Sequence, residues 1–128
     1  MSYKILVVDD EEPVRNMFKD LLERQGNLVK ATFSGEEALS VVSNEDFDCV
    51  LLDIKLGGIS GLEALKRMKE MKPTMPVIMI TGFGYDEELI AKSKELGCSG
   101  YIGKNMPISQ ILSNFKLYLH KAKENAVD

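Results

Sequence analysis

The stretch YKILVVDDEEPVRNMFKDLLERQG, residues 3–26, passes from one pattern to another within a few residues. Residues 3–8 form an apolar run broken only by Lys4 and without alternation, the signature of a strand buried on both faces. Asp9 to Glu12 are acidic and Pro13 suits a first helical turn. Val14, Phe18, Leu21, Leu22 and Gln25 then fall on one helical face, which Gly26 ends. Strand, acidic turn and helix make the repeating unit of a parallel sheet.

The same alternation continues to the far end of the chain. Short apolar runs recur at residues 28–32, 49–52, 77–80 and 100–103. Between them Ser34 with Glu37, and Ser60 with Glu63, give the capping-box spacing ahead of Ala38, Leu39 and Val42 and of Leu62, Leu65 and Met68. Asp86 can cap a fourth helix, with Leu89, Ile90 and Leu96 inward and Gly97 just past its end. Pro107 suits the first turn of a last helix with the stripe Ile111, Leu112, Phe115 and Leu119. Five strand–helix units with short connections require right-handed crossovers and a parallel sheet covered on both faces. Five are too few for a closed eight-stranded barrel, so the fold class is α/β, (βα)5, an open doubly wound sheet.

The 128 residues suit one domain, expected over 1–122 with a frayed tail at 123–128 and no output domain. Sixteen Lys and Arg against twenty Asp and Glu leave a net charge of −4, the wrong sign for binding nucleic acid by phosphate neutralisation. No run approaches the ~18–20 apolar residues of a membrane span, and the N-terminus lacks a signal-peptide core, so a cytoplasmic protein is expected. Cys49 and Cys98 fit no metal or redox spacing and read as reduced, largely buried thiols. His120, the single histidine, reads as a solvated helix residue, so no histidine-based triad or metal site can be assembled. The methionines at 68, 71, 75 and 79 read as core and loop packing.

In open α/β sheets, sites form beyond the carboxyl ends of the strands. There the first strand delivers Asp9 and Asp10, followed by Glu11 and Glu12; the third delivers Asp53, the fourth Thr81 and the fifth Lys104. Carboxylates gathered in one crevice repel unless a cation is present. Oxygen donors without His or Cys suit a hard divalent ion, Mg²⁺ above all, with Mn²⁺ an alternative. A lysine and a hydroxyl beside such a cluster supply the positive charge and the donor that phosphoryl oxygens need. A carboxylate can itself take the phosphoryl group as an acyl phosphate.

Taken together, ILVVDDEEPVR, VLLDIKLGGISGLEAL, VIMITG and SGYIGK resemble the receiver domain of two-component response regulators, including the single-domain chemotaxis and sporulation-phosphorelay type. The resemblance covers almost the whole chain. It implies a flavodoxin-like sheet of order 2-1-3-4-5, with Asp53 as phosphoacceptor. Asp10, Asp53 and the main-chain carbonyl of Lys55 would bind Mg²⁺, and Asp9 would support it through water. Thr81 and Lys104 would hold the phosphoryl oxygens, Gly82 would leave room, and Tyr101 would report activation by its rotamer. It further implies a histidine kinase or histidine phosphotransfer protein as donor, a downstream protein on the face formed by the fourth helix, fifth strand and fifth helix, and a contact patch at Met17 and Pro107.

Three departures from the family pattern stand out. Gly57, followed by Gly58, replaces the usual proline after the phosphoacceptor, so a more mobile loop is expected. Asn105 replaces the proline after the strand-five lysine, where a cis Lys–Asn bond would cost about 3–4 kcal/mol; either that strain is present or the loop takes another path. Lys55 and Phe83 occupy variable positions that tune phosphoryl lifetime in the family, and the bulk of Phe83 points to slow or moderate hydrolysis.

Rival readings fare less well. A haloacid-dehalogenase-like phosphatase with a phosphoaspartate intermediate needs a D-x-D pattern and a cap domain, whereas Asp9 and Asp10 are adjacent. A flavin-binding relative needs a Ser/Thr/Gly-rich loop where this chain has DDEEP. A receiver-like interaction module that works without phosphorylation is opposed by the intact acceptor residues and favoured by the Asn105 and Gly57–Gly58 departures.

Overall fold

The structure is a computed structural model, described over residues 2–82 and 86–125. Its elements alternate from end to end: β1 (Lys4–Val8), α1 (Glu12–Arg24), β2 (Leu28–Thr32), α2 (Gly35–Asn44), β3 (Cys49–Asp53), α3 (Gly61–Met71), β4 (Val77–Thr81), α4 (Glu87–Glu95), β5 (Gly100–Gly103) and α5 (Ile108–Asn125). The strands pair in parallel in the order β2-β1-β3-β4-β5.

Successive side chains of a strand point to opposite faces, and here both faces are covered. Ile5 and Val7 of β1 and Leu51 of β3 join Phe18, Leu22 and Phe115 under α1 and α5. Leu6, Val8, Val50 and Leu52 join Val42, Leu65 and Met68 under α2 and α3, with Ile90 of α4 on the same side. An unbroken apolar run is therefore split between two cores, which is why its sequence does not alternate.

β2 departs from that expectation. Its burial alternates, Leu28 being 68% exposed and Lys30 also exposed, because it is an edge strand paired only with β1. Lys30 there ion-pairs with Glu45 at 2.6 Å, a charged rim of the kind that discourages edge-to-edge association. Gln25, assigned to the inner face of α1, is exposed because the helix has ended by that point.

The helix ends follow the sequence signals. Ser34 and Ser60 accept hydrogen bonds from the amides of Glu37 and Glu63, and Asp86 from those of Glu88 and Leu89. The Glu63 carboxylate turns outward to Arg67 at 2.9 Å. Gly26 and Gly97 take the positive φ values that close α1 and α4. Pro107 stands one residue ahead of α5, its carbonyl accepting from the amides of Gln110 and Ile111. That helix continues past residue 121 to Asn125, and Lys123 ion-pairs with Asp48 at 3.1 Å, so residues 123–125 are helical rather than frayed.

Met68, Met75 and Met79 are buried while Met71 is 40% exposed. Burial pushes the Cys49 thiol up to about 12, and Cys98, half-buried, is raised for the same reason. Neither thiol is disulfide-bonded. His120 is exposed and lies 3.2 Å from Glu124. Among the described residues no helix is long and apolar enough to cross a membrane.

Candidate functional site

β3 and β4 each run one residue beyond their apolar stretch, taking Asp53 and Thr81 into the ladder opposite Ile80 and Gly103. Two chemistry-bearing side chains are thus mounted on the rigid sheet. Asp9 follows β1 directly, its amide bonded to the Thr32 carbonyl at 3.2 Å. The Lys104 amide donates to the Thr81 carbonyl at 2.7 Å, which brings the end of β5 to the same rim.

The side chains converge around one ammonium. Lys104 Nζ donates to Asp53 Oδ2 at 3.0 Å and Glu11 Oε1 at 2.8 Å, and lies 3.1 Å from Asp9 Oδ2. Asp53 is 3% exposed and Asp9 wholly buried. Asp53 Oδ1 accepts from the Lys55 amide at 3.2 Å, and Asp9 Oδ1 from the Glu11 amide at 2.9 Å. Arg15 Nη1 donates to the Asp9 carbonyl at 2.8 Å, tying the turn back to α1. Glu11, Asp53, Lys55, Thr81, Gly82 and Lys104 line a cleft of about 110 Å³, space for a tetrahedral oxyanion with water.

Burial raises the Asp53 carboxyl from 3.8 to about 6, with the neighbouring Asp9 charge adding to the effect and Lys104 opposing it. Burial alone would lower the Lys104 ammonium, but its bonds to Glu11 and Asp53 and the charge of Asp53 outweigh this and raise it. Lys104 therefore stays charged, whereas Asp53 ionises only against resistance.

A cation fits this donor set. Asp9, Asp10, Glu11 and Asp53 each offer a carboxylate oxygen, all within 4.8 Å of one another. Asp9 Oδ2 is buried without a hydrogen bond, an ion pair with Lys104 aside. Oxygen donors with no nitrogen or sulfur among them suit Mg²⁺ or Mn²⁺, and Asp9, Asp10 and Asp53 supply them without Glu11, whose side chain is turned to Lys104 at 2.8 Å. Asp10 is exposed at the mouth of the cluster.

The chain matches the family model of the response regulator receiver domain over residues 5–116. It is 37% identical to sporulation initiation phosphotransferase F of Bacillus subtilis, over 93% of this chain and 95% of that protein. It is 35% identical to the polar-differentiation response regulator DivK of Brucella ovis, over 95% of this chain and 100% of that protein. Among solved structures, a CheY-like response regulator receiver domain protein from Methanospirillum hungatei superposes with a TM-score of 0.90 at 30% identity, covering 98% of this chain and 99% of that one. NtrX from Brucella abortus superposes with a TM-score of 0.91 at 29% identity, and there this chain spans 29% of the longer protein.

The chain belongs to the response regulator receiver domain family.

Within this receiver domain, Tyr101 is half-buried, packed against the core on the α4 side, with Lys94 Nζ 5.8 Å from its ring centroid. It is not among the described residues that line the cleft. Met17 is half-buried and packs against the α1/α5 core, while Pro107 is exposed. Phe83 lies outside the described residues.

The two loop departures take definite forms. There are no cis peptide bonds among the described residues, so the Lys104–Asn105 peptide is trans and the cost of a cis bond does not arise. The Met106 amide closes a turn on the Gly103 carbonyl at 3.2 Å, and Lys104 reaches Asp53 along this alternative path. Gly58 has φ +75°, and a Cβ there would lie 2.6 Å from Glu36 Oε2. The second glycine of the pair therefore serves a left-handed turn against α2.

Nothing in the sequence singles out Gly61 or Arg15. A Cβ at Gly61 would stand 2.1 Å from the Asp53 carbonyl oxygen and 2.6 Å from that of Ile54. Only glycine lets α3 start hard against the backbone that carries Asp53. The Ser60–Gly61 helix start is the one local signal of it, and it names the cap rather than the contact.

Proposed function

We propose that this receiver domain accepts a phosphoryl group on Asp53 from a phosphohistidine of a histidine kinase or histidine phosphotransfer protein, and passes the signal on by protein contact. The observation that carries this reading is the placement of Asp53, buried at the end of β3 with Lys104 Nζ on one oxygen and an acidic cluster beside it.

In the reaction an Asp53 carboxylate oxygen attacks phosphorus, a new P–O bond forms, and the P–N bond to the donor imidazole breaks. Asp10, Asp53 and the Lys55 main-chain carbonyl would hold Mg²⁺, with Asp9 supporting it through water. The ion's contribution when bound is to neutralise charge on the phosphoryl oxygens. Lys104 and the Thr81 hydroxyl would bind the transferred group, the cleft at Gly82 leaving room for it. Drawing Thr81 inward would bias Tyr101 and the α4–β5–α5 face towards the form a downstream protein recognises. Met17 on α1 and Pro107 just ahead of α5 would contribute to the donor's docking patch. The free thiols of Cys49 and Cys98 support a reducing, cytoplasmic setting.

A beryllofluoride titration followed by backbone amide shifts tests this reading against a receiver that signals without phosphorylation. Saturable shifts at Thr81, Tyr101 and Lys104 that require Mg²⁺ are expected. Spectra that beryllofluoride and Mg²⁺ leave unmoved favour the phosphorylation-independent module.

A further inference from the structure

Lys104 holds more anions than the proposed reaction uses. An ammonium has three N–H donors, and the carboxylates of Glu11, Asp53 and Asp9 lie at 2.8, 3.0 and 3.1 Å from it. While Asp53 is still a carboxylate, an incoming phosphoryl oxygen can reach hydrogen-bond distance of Nζ only by displacing one of them. The Asp9 side chain is 0% exposed and cannot leave without stranding a buried charge, and that of Asp53, 4% exposed, stays an anion until the P–O bond forms. The Glu11 side chain is 61% exposed and returns to water at little cost. It also makes the shortest of the three contacts.

We infer that Glu11 is a competitor for Lys104: it occupies the ammonium before phosphoryl transfer, must release it as the phosphoryl group arrives, and so slows acceptance. This positioning role rests on the reading of Asp53 as acceptor. Glu11 also adds negative charge at the mouth of the cleft, where an anionic donor approaches. Its release leaves Lys104 free to turn from a carboxylate to a phosphoryl oxygen without disturbing the buried pair. Because the side chain is exposed and caps nothing, its replacement leaves the fold intact.

The test compares wild type with Glu11→Gln, using acetyl phosphate and Mg²⁺ at low ionic strength and following the phosphoprotein by intact mass. The amide keeps the shape and removes the charge. Glu11→Gln is expected to accept the phosphoryl group about two- to fivefold faster, the range of a partly exposed ion pair, with the advantage shrinking in high salt. A variant no faster than wild type overturns the inference while leaving Asp53 as acceptor. Loss of Mg²⁺ affinity by about tenfold or more in the variant also overturns it, because Glu11 then belongs to the metal site. Absence of phosphate from the wild type overturns the acceptor reading itself and this inference with it.

Discussion

Lys104→Met is expected to destabilise the metal-free protein by roughly 2–4 kcal/mol at neutral pH, measured as a lowered urea midpoint in the presence of a chelator. The methionine is of similar length, so the loss is electrostatic rather than one of packing. Without the ammonium, Asp9 and Asp53 face each other with side chains 0% and 4% exposed and no cation between them. Two such carboxylates can coexist only if one takes up a proton or water enters. The penalty should therefore shrink as the pH falls towards 4, where Asp53 is protonated, and shrink again when Mg²⁺ is added at neutral pH. An unchanged urea midpoint would mean that the Lys104 contacts contribute nothing to the resting state.

Asp53→Asn should act in the opposite direction. Burial lifts the Asp53 carboxyl to about 6 in the folded protein against an ordinary 3.8, so the folded state keeps a proton that the unfolded chain gives up. An acid with a raised value supports the fold fully below pH ~4, loses that support as the pH rises from ~4 to ~6, and above this range penalises the folded state. The full shift corresponds to an upper limit of about 3 kcal/mol; water in the cleft and the partner lost by Lys104 reduce the expected gain to about 1–2 kcal/mol at pH 7. At pH 4 the gain should vanish. Mg²⁺ should raise the melting temperature of the wild type and do little for the variant, because a ligand stabilises only the state that binds it. A variant less stable than wild type at pH 7 would contradict this account of the pocket.

Both expectations concern residues that periodicity alone placed at strand ends. Asp9, Asp53, Thr81 and Lys104 are legible because each directly follows or ends an apolar run, and chain direction in a parallel sheet sends all those ends to one rim. What was not legible depends on contacts across the chain. Leu28 and Val29 look like any buried strand, since being at the edge is a property of strand order and not of the run itself. Glu11 read as one more acid in a helix-opening turn, because its partner Lys104 is 93 residues away. The extension of α5 reflects the pairing of Lys123 with Asp48 across 75 residues. Gly61 carried no signal beyond its place after a cap, since the constraint on it is an absent atom facing the Asp53 carbonyl. The loop after Lys104 showed only that the family's proline is missing; that the backbone solves this with a trans peptide and a turn is a matter of geometry.

Every role proposed for this pocket depends on Asp53 being a phosphoryl acceptor. The most direct measurement of that role incubates wild type and Asp53→Asn with acetyl phosphate, each with Mg²⁺ and with chelator, followed by intact mass and peptide mapping under conditions that preserve acyl phosphates. One phosphoryl group is expected on the wild type, dependent on Mg²⁺ and mapped to Asp53, and none on the variant. Wild type that stays unmodified with Mg²⁺, or a variant that is modified equally, would contradict it.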